Sequence, residues 1–211
     1  MAIVTLILGK SGSGKSASLR NLDKENTAVI KIIEKPLPFK GGDKFKGKTT
    51  DNWEQVLHLA RSCNSKVVVI DDFQYMLANE FMRRAKETGF AKFTDIGLHA
   101  WSVLSGLASA QSDKRIYVLS HTDENDQGHS KMKTIGKMLD DKITLEGIVT
   151  IVLRATVEDG KHVFRTKNDG TDTTKAPMGM FDGDHVENDL ALVDQAICEY
   201  YEINNEVKTN V

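Results

Sequence analysis

Gly9-Lys10-Ser11-Gly12-Ser13-Gly14-Lys15-Ser16 decides the fold, because it meets the pattern G-x-x-x-x-G-K-[ST] at every fixed position. The stretch before it, residues 2–8, is an uninterrupted apolar run that reads as a buried strand, and residues 15–22 read as a helix. Glycines at 9, 12 and 14 let the backbone curl until successive N–H groups point inward. A helix N-terminus adds its positive end, so a polyphosphate is expected there without side-chain specificity. Lys15 then reaches the β- and γ-phosphates and Ser16 offers its hydroxyl to a Mg2+ ion bridging them, while Ser11, Ser13 and Ala17 complete the cradle. Lys10 is an additional cation inside the loop.

A second chemistry-bearing stretch is Val67-Val68-Val69-Ile70-Asp71-Asp72, an apolar strand ending in acids, the form of a Walker B strand paired with the Walker A loop upstream. Asp71 is expected to hold Mg2+ through a water, and Asp72 to orient the attacking water or cap the next helix. Glu34 ends a strand read over residues 27–33, and the carboxyl ends of parallel strands line the ligand crevice, which makes it a candidate base. Ser120-His121 ends a strand over 116–120 at the same rim, where His121 is placed to sense a γ-phosphate. No Cys/His cluster surrounds His121 in sequence, so it does not read as a metal ligand.

Around these motifs, strands alternate with helices, which predicts an α/β fold with a parallel sheet. Residues 35–50 read as a loop after Pro36 and Pro38, and Asp51 with Glu54 as the capping box of a helix burying Trp53, Val56, Leu57 and Ala60. Residues 73–111 read as two helices broken at Gly89, the second with the stripe Leu98, Trp101, Leu104 and Leu107. Residues 121–133 are polar and without period, a mobile loop before a short helix near 135–139. Residues 148–155 and 161–166 alternate around Glu158-Asp159-Gly160 as a hairpin extending the sheet. An amphipathic helix over 190–203 presents Leu190, Val193, Ile197 and Tyr201. The division expected is a core over 1–187 and an acidic helix and tail over 188–211.

The chain has 211 residues, 40% hydrophobic and 27% charged, with 19 Pro plus Gly, which excludes a disordered or fibrous protein. Two cysteines, Cys63 and Cys198, are too few for a disulfide framework. The seven-residue apolar start lacks a preceding basic segment, and no run approaches the ~18 residues of a membrane span, so the expected location is the cytoplasm, with no membrane partner. Net charge is -2, yet residues 1–50 carry ten Lys or Arg against four acids, and residues 181–211 carry eight acids against Lys208 alone.

The set GKSGSGKS, a Glu after strand two, VVVIDD and SH after the next strand resembles the RecA-core P-loop ATPases, and in particular the small phage-encoded ATPases grouped with single-strand annealing recombinases. The resemblance covers residues 3 to 167 approximately. It implies a RecA-like parallel sheet with helices on both faces, Mg2+-dependent ATP hydrolysis in DNA recombination, and action as a homo-oligomer, in the host cytoplasm and alongside other phage recombination or replication proteins. It assigns the base to Glu34, the Mg2+ role to Asp71 and sensing to His121. By the same resemblance Arg165 and Lys167, with Arg154, are cations that enter a neighbouring subunit's site. Single-stranded DNA is the implied partner, through Lys131 and Lys133 or through Lys40, Lys44 and Lys46 interleaved with Phe39 and Phe45. Two other classes stay open: a nucleotide or small-molecule kinase, disfavoured by scattered arginines, and a partition-like dimerising switch, motivated by Lys10.

Overall fold

The computed structural model describes residues 1–136 and 142–203. Its strands are β1 (Ile3–Gly9), β2 (Thr27–Lys31), β3 (Lys46–Thr49), β4 (Val67–Asp71), β5 (Arg115–Glu124), β6 (Ser130–Met132), β7 (Ile151–Glu158), β8 (Lys161–Arg165) and β9 (His185–Glu187). The helices are α1 (Trp53–Ser62), α2 (Gln74–Arg83), α3 (Ala91–Leu107) and α4 (Leu190–Tyr200). One mostly parallel, mixed sheet runs β3-β2-β4-β5-β1-β7-β8-β9, with β6 pairing β5 alone.

The continuous apolar strands are buried on both faces, and the period-two alternation shows how. Leu6, Leu8, Val68, Ile70, Ile116 and Val118 face one core with Val56, Met76, Ile96 and Val103 of α1 to α3. Ile7, Val69, Tyr117 and Leu119 face the other, with Leu19, Leu22 and Leu190, Val193 and Ile197 of α4. Helices therefore cover both faces. Arg115 joins α4 to β5 through Asp194 at 2.9 Å from both Nε and Nη2, and the Tyr117 hydroxyl donates to the same carboxylate at 2.6 Å.

Register brings the site together. β1 pairs β5 with Gly9 opposite His121, β2 pairs β4 with Lys31 opposite Asp71, and β1 pairs β7 with Leu8 opposite Arg154. The carboxyl ends of β1, β2, β4 and β5 thus open on one rim, with β5 lying between the loop-bearing β1 and the acid-bearing β4.

Several expectations are corrected. The segment after the glycine-rich loop is a six-residue 3-10 helix, Ser16–Asn21, not an α-helix. Serines compete with the helical ladder there: the Ser18 hydroxyl donates to the Lys15 carbonyl at 2.5 Å. Residues 46–49, expected as loop, form the edge strand β3, whose side chains are mostly exposed and so give no apolar signal. The cap of α1 is Asn52, which accepts from the Gln55 N–H at 2.9 Å, while Asp51 binds Arg83 and Asn79 instead. Along α3 the inward stripe is Ile96, Ala100, Val103, Leu104 and Leu107, and Leu98 and Trp101 are 53% and 43% exposed. Small residues, Gly97 and Ala100, weaken the apolar signal of its buried face, while Leu98 and Trp101 supply one on the exposed face.

Residues 121–133 are not a loop. β5 continues to Glu124 and returns through β6, with Thr122 opposite Met132 and Asp123 opposite Lys131. Asn125 Oδ1 closes the turn by accepting from the N–H groups of Gln127 and His129. The expected hairpin is present as β7 and β8, turning at Asp159 and Gly160, both with positive φ, and β9 adds a further strand. The helix near 135–139 falls largely outside the described residues. The last helix stops at Tyr200, and Asp189 caps its start.

Candidate functional site

The loop from Gly9 to Ser16 leaves β1 by conformations that require glycine. A Cβ on Gly9 would stand 2.5 Å from the Ala155 carbonyl oxygen, and Gly12 and Gly14 have φ of 78° and 95°. Lys15 folds back over this loop, its Nζ donating to the carbonyls of Gly9 at 2.8 Å and Lys10 at 2.9 Å. Burial pushes that ammonium down to about 8, against the pull of Asp72 and Asp71. The Ser13 hydroxyl is buried with no hydrogen-bond partner among the described residues, and Ser11 is exposed. Ala17 is half-buried, and its carbonyl accepts from Arg20 at 3.4 Å. The 3-10 helix that follows is too short for a macrodipole to add to the loop's own N–H groups.

Across the rim, the Ser16 hydroxyl donates to Asp71 Oδ1 at 2.8 Å. Burial pushes the Asp71 carboxyl up to about 6, with the charge of Asp72 adding and the Ser16 bond opposing. Asp72 is buried at a φ of 63°, a strained conformation for a residue other than glycine. Lys35 Nζ pairs with its Oδ2, and His121 Nε2 lies 3.6 Å from its Oδ1. Burial works against ionisation of Asp72, but the bonds to His121 and Lys35 outweigh it and hold the carboxyl below its ordinary value. Tyr75 meets His121 edge to face at 5.8 Å.

No known protein family and no curated protein matches this chain. The site therefore rests on its own geometry, which gathers Lys15, Ser16, Asp71, Asp72 and His121 from three separate segments.

Other expected residues lie elsewhere. Glu34 is exposed and bonded to Lys31 at 3.1 Å; its neighbour Lys35 is the residue that reaches Asp72. Hydrogen bonds with Thr49 and Lys31 hold the Glu34 carboxyl below its ordinary value. Lys10 pairs with Glu124 of β5 at 2.5 Å. Arg165 is held by Asp169 at 2.8 Å, Lys167 by Asp184 at 2.9 Å and Arg154 by Asp172 at 3.0 Å. Lys40 and Lys44 are exposed, and Lys46 pairs with Glu25 at 3.0 Å. Phe39 and Phe45 pack edge to face at 6.2 Å on the second core. Lys131 and Lys133 are exposed along and just after β6. Sequence reasoning missed Lys35 and Glu124. The signal for Lys35 was a cation directly after the strand-two acid, fixed by Pro36.

The donor set fits a hard cation beside a phosphate. A hydroxyl and a buried carboxylate, Ser16 and Asp71, are oxygen ligands of the kind Mg2+ takes, directly or through water. Among the described residues no group of three or more His, Cys, Asp or Glu is arranged to hold a metal alone. A Mg2+ bound here would draw its remaining ligands from water and from the anion it accompanies.

Proposed function

We propose that this chain is a Mg2+-dependent P-loop ATPase with a RecA-like core, acting in phage-type DNA recombination or single-strand annealing as a homo-oligomer. The observation that carries it is the Ser16–Asp71 bond, which joins the end of the GKSGSGKS loop to the end of the VVVID strand at the rim that also holds Lys15. Lys15 and the loop amides would hold the polyphosphate, and Ser16 and Asp71 would hold a Mg2+ that would supply charge neutralisation to it. In hydrolysis a water oxygen bonds to the γ-phosphorus and the bond to the β–γ bridging oxygen breaks, leaving ADP and inorganic phosphate.

Two carboxylates compete to orient that water. Glu34 has the resemblance in its favour, and Asp72 has the geometry, since it is buried in the cluster while Glu34 is exposed. We assign the role to Asp72, with His121 beside it as the sensor. The basic front of the chain and the β5–β6 hairpin support a nucleic-acid partner only as surfaces bearing Lys40, Lys44, Lys131 and Lys133. Lys10, the motive for the partition-like reading, lies in an exposed ion pair with Glu124 of its own chain. No helix among the described residues is long and apolar enough to cross a membrane.

Sedimentation with a labelled single-stranded oligonucleotide tests the partner and assembly. Mg2+-ATP is expected to drive the chain into an oligomer that carries the oligonucleotide. A monomer that leaves the DNA unbound with and without ATP would remove the recombination role.

A further inference from the structure

We infer that Lys35 is a γ-phosphate-reading cation supplied by the same chain, which pairs with Asp72 and releases it when a nucleoside triphosphate arrives. The inference rests on the ATPase reading above and adds a residue and a selectivity to it.

The placement of Lys35 begins in the sequence. It precedes Pro36, which disfavours the helical region for residue 35 and favours an extended backbone, so the chain leaves β2 on a restricted course. Its Nζ reaches Asp72 Oδ2 from that position, four residues past the β2 position opposite Asp71 in the sheet. Lys35 pairs with Asp72, while Lys15, whose Nζ lies on the Gly9 and Lys10 carbonyls, is near enough to feel the charges of both Asp71 and Asp72. The side chain of Lys35 is 44% exposed while that of Asp72 is 4% exposed, so the ammonium approaches from the open side.

A triphosphate with Mg2+ brings net negative charge among these groups. The ammonium nearest the open side is then drawn from the carboxylate to the terminal phosphate, a stronger acceptor. Losing Lys35 leaves Asp72 with an oxygen free to accept from water. A diphosphate lacks the terminal group, so Lys35 stays on Asp72.

Calorimetric titration of Mg2+-ADP and of a non-hydrolysable Mg2+-ATP analogue into the wild type, Lys35→Met and Lys35→Arg tests this. Lys35→Met is expected to weaken the analogue about tenfold or more while ADP changes less than threefold, and Lys35→Arg to restore part of the difference. Steady-state hydrolysis should fall by ~10^2-fold or more in Lys35→Met. Retained ADP affinity shows that the variant is folded. An unchanged analogue-to-ADP ratio overturns the role of Lys35 and leaves the ATPase reading standing. A wild type that binds neither nucleotide, like Lys15→Ala, overturns that reading and this inference with it.

Discussion

Ser16 and Asp71 are 55 residues apart in the chain and are joined by a 2.8 Å hydrogen bond from hydroxyl to carboxylate. One ends the glycine-rich loop after β1, the other ends β4, and β5 separates their strands. The bond spans that gap, because the loop carries Ser16 sideways over the rim. Removing either partner should leave the fold and much of the nucleotide affinity intact but abolish the part that depends on Mg2+. Ser16→Ala is expected to bind ATP equally with Mg2+ or with a chelator, as read by calorimetry. A variant that keeps the full Mg2+ enhancement would move the metal elsewhere.

Asp71 also predicts a pH effect on stability. Its carboxyl is pushed up to about 6, above its unfolded value of 3.8, so in that window the folded chain holds a proton that the unfolded chain releases. The stabilisation is full below pH 4 and is lost as pH rises through 6, by on the order of 2–3 kcal/mol. Asp72, Lys35, Lys15 and Ser16 face the group and set the size of this effect. Urea unfolding should find Asp71→Asn more stable than the wild type at pH 8 and closer to it at pH 4. Lower stability of the variant at pH 8 would contradict this.

Lys15 gives the opposite experiment, on binding. Its ammonium is pushed down to about 8 by burial, so the charge that holds the polyphosphate fades as pH passes that value. Affinity for Mg2+-ATP should fall between pH 7 and 9 in the wild type. Lys15→Ala should show weak binding with no such fall; a parallel slope in both proteins would assign the titration to another group.

Asp72 and Glu34 are separated by paired amide variants. Asp72→Asn is expected to lose ~10^2-fold or more in turnover while still binding ATP, and Glu34→Gln to stay within about threefold of the wild type. The reverse pattern would return the base to Glu34.

The anchor of α4 is a structural prediction. Asp194 accepts from Arg115 twice and from Tyr117 once in a buried setting. Asp194→Ala should cost about 3–5 kcal/mol in urea unfolding, since it takes the carboxylate from a buried guanidinium, and Tyr117→Phe only about 1 kcal/mol. Equal losses in the two variants would mean that the ion pair contributes nothing beyond the hydroxyl.

The parts legible in the sequence are those with a local signal. Val67 to Ile70 and Ile3 to Leu8 announce strands covered on both faces, and GKSGSGKS announces its loop, because apolar continuity and glycine spacing are written in neighbouring residues. β3 was illegible: Lys46 to Thr49 hold the sheet edge through backbone bonds and a close approach of Gly47 to the Val29 carbonyl, while their side chains face water. The β5–β6 hairpin hid for a similar reason, its polar strands Thr122 to Glu124 and Ser130 to Met132 buried in part by distant segments such as Asp172. In the site, Lys15, Ser16, Asp71 and Asp72 follow from motif positions. Lys35 and Glu124 do not, because their roles depend on which strands are adjacent at the rim. Glu34 shows the converse: the strand read to residue 33 ends at Lys31, and past that end Glu34 turns to solvent and Lys31 while Lys35 reaches Asp72.

The first experiment is steady-state phosphate release from Mg2+-ATP by the wild type and by Lys15→Ala, each with and without single-stranded DNA. A Lys15-dependent rate that DNA raises is the predicted result. A wild type no faster than Lys15→Ala under both conditions would contradict the assignment of this rim as an ATPase site.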